Sequence, residues 1–275
     1  MYPIKEKRVL NPSVTLMRVY APLIAAKAQA GQFIILRVNE TGERIPLTVA
    51  DTDTAEGTVT IIYQKVGVTT WLLDTLEVGD NILDFTGPLG RAAELEGVQR
   101  AIVVGGGLGC AIAYPEAKAL FQAGAHVEVI AGFRNADLVI LEQELKAIST
   151  SMHLMTDDGS AGEHGFVTQK LAQLLESGSY DLVIAIGPLP MMRAVAGVTL
   201  PFGVRTLVSM NPIMIDGTGM CGGCRLTVGG ETRFACVDGP EFDAHAIDWE
   251  ESMRRLGQYR EHEQACYLLH KGEIV

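Results

Sequence analysis

The first hundred residues alternate short runs of β-branched and aromatic residues with turn residues. Four runs of this kind are residues 14–20, 32–38, 58–63 and 81–85. Short strands at such spacing, with Gly and Pro between them, are typical of a small antiparallel barrel or sandwich. The longest competing helical stretch is residues 70–76. The pattern therefore predicts an antiparallel β-domain over residues 1–98.

From Arg100 onward, continuous apolar runs alternate with helical stretches. The apolar runs are residues 101–104, 127–131, 152–155, 182–186 and 204–208. The helical stretches are residues 111–123, 138–149, 167–177 and 190–197. Strands that are apolar on both sides and separated by amphipathic helices predict a parallel sheet covered on both faces. An α/β domain is expected over residues 99–208.

A glycine-rich segment with three cysteines follows the last predicted strand. It contains Asp216-Gly-Thr-Gly-Met-Cys221-Gly-Gly-Cys224, then a predicted hairpin over residues 225–235 and Cys236. We expect this segment, residues 209–242, to form a small separate unit. The remaining residues, 243–275, contain a predicted amphipathic helix over 248–259, which we expect to pack against its own chain rather than dock a partner.

Composition restricts the classes of partner. The formal net charge is −11 at pH 7, whereas nucleic acids and anionic membrane surfaces bind basic faces, so neither is expected as a partner. No uninterrupted apolar segment reaches 18 residues, and residues 1–8 lack the apolar run of a signal peptide. The five cysteines, three of them clustered, fit a reducing compartment. A cytoplasmic protein is the expectation.

The cysteine spacing predicts a metal centre at Asp216, Cys221, Cys224 and Cys236. Four intervening residues, then two, then a distant fourth ligand is the spacing of plant-type [2Fe–2S] ferredoxins, with aspartate in place of the first cysteine. Four glycines supply the positive φ angles and free amides that such a loop needs, namely Gly217, Gly219, Gly222 and Gly223. Structural zinc and a redox dithiol remain as less favoured alternatives, and Asp216 has the alternative role of a turn or cap residue.

Four loops follow the predicted parallel strands at one sheet edge, where such sheets bind ligands. The first, Gly105-Gly106-Gly107-Leu108-Gly109, opens a helix and predicts a pyrophosphate site, with a tight turn as the alternative. Arg134 could pair with phosphate or adenosine, or cap neighbouring carbonyls. Asp157 and Asp158 could hold a ribose hydroxyl, or form a turn. The last loop contains Gly187-Pro188, whose alternative role is a rigid turn.

This order of segments resembles the ferredoxin-reductase-like family, which includes the electron-transfer subunit of dihydroorotate dehydrogenase. The most specific stretch, residues 211–224 with aspartate at 216, is similar to the small subunits of NADH-dependent reduced ferredoxin:NADP⁺ oxidoreductases. The resemblance implies a β-barrel FAD domain, an α/β parallel-sheet NAD(H) domain and a small C-terminal iron–sulfur subdomain. It covers nearly the whole chain.

The resemblance also implies a flavin site on the first domain. Arg44 would lie on the pyrophosphate and Thr48 near the isoalloxazine, within the stretch that includes Pro46 and Leu47. A second stretch would contribute amides and hydroxyls to the ribityl and phosphate groups; its residues are Tyr63, Gln64, Gly67, Thr69 and Thr70. The alternatives are an edge-strand charge for Arg44 and a helix cap for Thr69 or Thr70.

The implied function is electron transfer between NAD(H), FAD and a [2Fe–2S] cluster within a flavin-based bifurcating complex. The implied partner is a larger subunit that contains flavin and [4Fe–4S] clusters and handles ferredoxin. NADH is favoured over NADPH, because Arg134 is the only basic candidate for a 2′-phosphate. Two alternatives remain, an electron-transfer subunit for dihydroorotate or sulfide chemistry and a zinc-stabilised nucleotide-binding scaffold.

Overall fold

Two antiparallel sheets form the N-terminal part of the protein, whose structure, a computed structural model, describes residues 1–274. Its elements are β1 (Tyr2–Asn11), β2 (Val14–Tyr20), α1 (Pro22–Ala25), β3 (Phe33–Arg37), β4 (Arg44–Thr48), β5 (Asp51–Asp53), β6 (Thr58–Gln64), α2 (Val68–Asp74), β7 (Asn81–Ile82) and β8 (Asp84–Leu89). The sheets have the orders β5-β6-β2-β1-β7 and β4-β3-β8. Buried side chains such as Met17, Ile34 and Ile61 fill the space between them.

The strand predicted over residues 81–85 is in fact two strands. β7 pairs with β1, whereas β8 pairs with β3 in the other sheet. Ile82 and Phe85 are both buried, so the two short strands contribute to the same core from different sheets. Sequence periodicity predicts that a segment is extended, but not which neighbour it pairs with.

A parallel sheet with helices forms the middle of the chain. Its elements are β9 (Arg100–Gly106), α3 (Gly109–Gln122), β10 (His126–Phe133), α4 (Glu142–Ala147), β11 (Ser151–Thr156), β12 (Glu163–His164), α5 (Val167–Ser177), β13 (Leu182–Ile186), α6 (Leu189–Thr199) and β14 (Arg205–Ser209), with 3₁₀ turns at Ala136–Leu138 and Leu200–Phe202. The strand order is β12-β11-β10-β9-β13-β14. The order reverses between β9 and β13, and such a switch point leaves a crevice at the carboxyl ends of the strands.

The helix predicted over residues 138–149 is shorter than expected. Leu141 has a φ of +56°, in the left-handed region, and α4 begins only after it. The side chains of Ile140 and Leu141 are 4% and 9% exposed, so both are packed into the core. Tertiary packing of these apolar residues therefore overrides the local helical pattern.

The C-terminal part returns to the parallel sheet. Its elements are β15 (Arg225–Val228), β16 (Glu231–Phe234), α7 (Ala235–Asp238), β17 (Glu241–Asp243), α8 (Trp249–Leu256) and α9 (Arg260–Ile274). β15 and β16 form the predicted hairpin. β17 pairs antiparallel with β14, with Leu207 opposite Asp243, so the cysteine loop is an insertion between two neighbouring strands of one sheet.

α8 is shorter than the predicted helix and contacts α6 and β15, as expected for packing on its own chain. α9 lies within residues 243–275, for which a helical segment is predicted, although the sequence pattern specifies only the helix over 248–259; α9 contacts α2 of the N-terminal part. Among residues 1–274, no helix has both the length and the apolar character to cross a bilayer. The cytoplasmic location and the division at residues 98, 208 and 242 stay predictions.

Candidate functional site

A single cavity of about 660 Å³ joins the barrel, the parallel sheet and the base of the cysteine loop. The predicted site residues that line it are Pro46, Leu47, Thr48, Gln64, Gly106, Gly107, Leu108, Gly109, Arg134, Asp157, Gly187 and Pro188. They come from β4, β6 and the loops after β9, β10, β11 and β13. The volume lies in the usual range for ligand and cofactor sites, about 300–1,000 Å³. The structure thus brings together residues that are more than a hundred positions apart.

The glycine loop after β9 has two separate roles. A Cβ on Gly109 would lie 2.1 Å from the carbonyl oxygen of Ile186, and a Cβ on Gly106 would lie 2.3 Å from Met191 Sδ. These glycines allow α3 and α6 to approach the sheet closely. Gly107 has a φ of +57°, and a Cβ there would meet no atom within 4 Å, so its backbone faces open space. The loop is a tight turn that also leaves room for a phosphate group at the start of α3.

Asp157 and Asp158 differ in position. Asp157 is exposed and lines the cavity, as does Arg134. The Asp158 carboxylate accepts hydrogen bonds from Ser160 Oγ (2.6 Å) and from Ser160 N (2.9 Å), and these bonds lower the pKa of Asp158. Asp158 therefore forms the turn that was the alternative interpretation, whereas Asp157 is free to face a ribose.

The predicted flavin residues also divide into two groups. Pro46, Leu47, Thr48 and Gln64 line the cavity, while Arg44 is exposed at the start of β4. Tyr63 is fully buried and donates a hydrogen bond to Asp74 Oδ1 (3.2 Å), and burial raises its pKa. Its hydroxyl therefore belongs to the barrel core, which leaves only its backbone for a cofactor.

Thr70 is a helix cap. Its hydroxyl accepts hydrogen bonds from the amides of Val66 (3.0 Å) and Gly67 (3.1 Å), and it donates to the carbonyl of Gly67 (3.0 Å). These bonds satisfy backbone groups at the start of α2, as expected for a capping box. Thr69 has a buried side chain. Thr70 thus fixes the β6–α2 loop, and its hydroxyl is already engaged.

The Asp216 carboxylate organises the cysteine loop. It accepts hydrogen bonds from the amides of Thr218 and Cys221, each at 3.0 Å, and the bond from Thr218 is the main reason that its pKa is lowered. Gly217, Gly219 and Gly222 have φ angles of +74°, +82° and +66°, as predicted, whereas Gly223 does not have a positive φ. Asp216 is therefore a charged turn residue whose carboxylate holds the backbone of Cys221, the first cysteine of the loop.

Backbone amides of this loop point at sulfur. The amide of Gly223 donates to Cys221 Sγ and the amide of Cys236 donates to Cys224 Sγ, each at 3.5 Å. Cys224 and Cys236 are buried, whereas Cys221 is exposed. Burial, together with the neighbouring Cys224, raises the pKa of Cys236 to about 12. Amide donors facing thiols are a feature of iron–sulfur sites, so the loop fits a cluster.

In the described part of the chain, no three or more His, Cys, Asp or Glu side chains converge closely enough to hold a single metal ion. The structure brings Cys224 and Cys236 into contact, whereas Cys221 is exposed and Asp216 is half-buried in the same loop.

Several lining residues of the cavity had no motif to reveal them. They include Phe33, Ile112, Phe166, Met191 and Met210. Phe166 is 61% exposed at the start of α5, unusual for a large aromatic side chain. Their only signal in the sequence is that they lie next to predicted strand and helix ends.

Comparison with known proteins gives one consistent result. A family model described as the iron–sulfur cluster binding domain of dihydroorotate dehydrogenase B matches residues 211–248. A Thermotoga maritima protein described as a homolog of the dihydroorotate dehydrogenase B (NAD(+)) electron transfer subunit is 47% identical over 249 residues, spanning 90% of this chain and 88% of that protein. The dihydroorotate dehydrogenase B (NAD(+)) electron transfer subunit from Bacillus caldolyticus is 37% identical over 255 residues, spanning 89% of this chain and 96% of that protein.

A solved structure of NADH-dependent reduced ferredoxin-NADP oxidoreductase, described in connection with flavin-based electron bifurcation, superposes with a TM-score of 0.92. It is 44% identical and covers 97% of this chain and 96% of that chain. These matches confirm the resemblance and the fold class predicted from the sequence.

Proposed function

The chain belongs to the family of dihydroorotate dehydrogenase B electron transfer subunits and their homologues, and we propose that it is the electron-transfer subunit of a bifurcating NADH-dependent ferredoxin:NADP⁺ oxidoreductase. Its cofactors are FAD, NAD(H) and an iron–sulfur cluster. When bound, FAD takes up a hydride and releases single electrons, which a [2Fe–2S] cluster carries one at a time.

The observation that carries this proposal is the shared cavity. β4 and β6 line it from the barrel, residues 106–109 line it from the parallel sheet, and Met210 and Met214 line it from the segment that leads into the cysteine loop. A nucleotide on the glycine loop would face a flavin on β4 across this space. The apolar side chains of Leu47 and Met191 line this space and would keep water from the bound cofactors, so the protein contributes positioning rather than an acid–base pair.

The residue assignments follow from these positions. Gly107 and the start of α3 would hold the pyrophosphate of NAD(H), with Arg134 and Asp157 at the adenosine side. Thr48 would lie at the flavin ring and Arg44 at the flavin phosphates. The Asp216 carboxylate and the thiols of Cys221, Cys224 and Cys236 would hold the cluster. Asp216 would then act both as ligand and as loop organiser.

The family functions with a larger partner subunit, and the surface around the cysteine loop suits such a contact. Four large apolar side chains are exposed there: Ile213, Ile215, Met220 and Val237, at 39%, 52%, 88% and 37%. Exposed apolar clusters of this kind mark protein–protein contacts. We propose that the partner contains flavin and [4Fe–4S] clusters and that ferredoxin reacts through it.

The test is a visible and EPR spectrum of the purified protein before and after addition of NADH. We expect flavin and iron–sulfur absorption that bleaches with NADH, and a [2Fe–2S] EPR signal in the reduced sample. A colourless protein that contains zinc would overturn the proposal. The names of the relatives favour a second candidate, an electron-transfer subunit for dihydroorotate, and the identity of the co-purifying subunit distinguishes the two.

A further inference from the structure

Two arginines bind the turn between Cys221 and Cys224. Arg225 Nη1 donates to the carbonyl of Gly222 and Arg255 Nη2 donates to the carbonyl of Gly223, each at 3.1 Å. The two carbonyls are consecutive, and they are the only two peptide carbonyls that belong to the residues between these cysteines. Both arginines also line a small cavity of about 160 Å³ between the loop and α8.

One of the two arginine contacts, that of Arg225, is linked to sulfur through the backbone. The carbonyl of Gly222 belongs to the same peptide group as the amide of Gly223, and that amide donates to Cys221 Sγ at 3.5 Å. A cation on the carbonyl side of a peptide polarises it and strengthens the amide as a donor. Arg225 therefore strengthens the hydrogen bond that the Cys221 sulfur receives.

α8 holds Arg255 in place from a separate part of the chain. The Asp248 carboxylate caps the helix by accepting from the amide of Glu251 (2.8 Å), and the Glu251 carboxylate accepts from the amide of Thr227 on β15 (3.1 Å). Trp249 Nε1 donates to the carbonyl of Ala244 (3.1 Å). The helix is thus fixed to the hairpin at its first turn, and Arg255 reaches the cysteine loop from its last turn.

We propose that Arg255, together with Arg225, is a positioning residue that raises the reduction potential of the cluster. Reduction adds a negative charge to the cluster, and two guanidinium groups on the adjacent turn stabilise that charge, while Arg225 also polarises the peptide whose amide donates to Cys221 Sγ. The inference rests on the proposed function, since it requires that this loop binds a [2Fe–2S] cluster.

The experiment is an EPR-monitored redox titration of the cofactor-loaded protein and of its variants. At a fixed potential we expect Arg255→Gln to lower the ratio of reduced to oxidised cluster about tenfold, which is 59 mV for a one-electron couple. Arg255→Lys keeps the positive charge but has a less rigid donor. Its reduction potential should lie between those of the wild type and Arg255→Gln. Arg254→Gln is the matched control, because Arg254 is the exposed neighbour on α8, and its titration should coincide with the wild type.

The possible results distinguish a failure of the proposed function from a failure of the role proposed for Arg255. A wild-type protein without a [2Fe–2S] signal would refute the proposed function. A normal cluster signal with the same potential in Arg255→Gln as in the wild type would overturn the role of Arg255. If Arg255→Gln fails to retain its cluster, Arg225→Gln and Arg255→Lys are titrated instead, and unchanged potentials in both would overturn the inference.

Discussion

The carboxyl groups of Glu116 and Glu241 are buried close to each other, and neither has a hydrogen-bond partner in the described part of the chain. Glu116 lies on α3, the helix that begins at the glycine loop, and Glu241 begins β17, the strand that returns from the cysteine loop. Burial raises the pKa of both carboxyl groups, and the proximity of Glu241 raises that of Glu116 further. We infer that the two carboxyl groups share one proton, which would give each of them a partner.

A proton shared in this way makes stability depend on pH. Because the pKa of Glu116 is higher in the folded state than its ordinary value of 4.5, the folded state binds more protons, and the free energy of unfolding falls as pH rises from about 4.5 through the raised pKa. The amide of Glu116→Gln can donate a hydrogen bond to the Glu241 carboxyl group, and it removes one of the two ionisable groups. We expect it to be more stable than the wild type at pH 8, by on the order of 1–3 kcal/mol, and equally stable near pH 4.

Urea unfolding of the two proteins between pH 4 and pH 8 measures this effect. Glu176→Gln, which changes an exposed glutamate on α5, is the matched control, and its free energy of unfolding should equal that of the wild type at every pH. Parallel curves for Glu116→Gln and the wild type would show that the two carboxyl groups do not share a proton.

A second prediction concerns the contact between α3 and β13. A methyl group at Gly109 would lie 2.1 Å from the carbonyl oxygen of Ile186, so Gly109→Ala must displace the helix. We expect a loss of about 1–3 kcal/mol in stability, because overpacking a close backbone contact forces the backbone to shift. Gly197→Ala on α6 is the control, since a Cβ there meets no atom within 4 Å, and it should gain about 0.5–1 kcal/mol.

Thermal unfolding of both variants compares the two glycines. A Gly109→Ala protein as stable as Gly197→Ala would mean that the helix and the strand are not packed as closely as described. Weaker binding of NADH by Gly109→Ala is a separate expectation, because the same displacement moves the start of α3 away from the cavity.

The architecture was predictable where local pattern and packing agree. The strand at residues 182–186 is buried along its whole length, so its continuous apolar run has only one stable environment, and the observed β13 has the predicted bounds. The cysteine spacing singled out its loop because three of the four proposed ligands are close in sequence, and the matched iron–sulfur cluster binding domain includes that loop.

Long-range pairings were not predictable. Glu116 and Glu241 are polar residues in separate segments, and nothing local indicates that they meet. β17 has only three residues, too few for periodicity to reveal, and its pairing with β14 depends on the cysteine loop folding back. Tyr63 and Thr70 have residue types that suit a flavin site, yet the Tyr63 hydroxyl is bound to Asp74 in the barrel core and the Thr70 hydroxyl is bound to the start of its own helix.

A third prediction concerns the choice of nucleotide. The Asp157 carboxylate lies in the cavity at the expected adenosine side, where it would repel the 2′-phosphate of NADPH. Asp157→Asn should therefore lower the KM for NADPH, by about 5- to 30-fold, because repulsion between exposed charges in water costs about 1–2 kcal/mol. Flavin reduction by NADH and by NADPH measures the preference. Asp158→Asn is the comparison, because Asp158 is engaged with Ser160 and should leave the NADPH preference unchanged.

The last prediction tests the carboxylate at the entrance to the cysteine loop. Asp216 accepts hydrogen bonds from two loop amides, and by our proposal it is also a cluster ligand. Asp216→Ala removes both functions, so we expect iron and acid-labile sulfide to fall to half or less of the wild-type content, whereas Asp216→Cys should retain the cluster with a changed reduction potential. Asp216→Asn, which can still accept one amide bond, separates organisation of the loop from ligation. A cluster that keeps its wild-type spectrum and potential in both Asp216→Asn and Asp216→Cys would limit Asp216 to organising the loop, because a change of ligand must alter the electronic structure of the iron it binds.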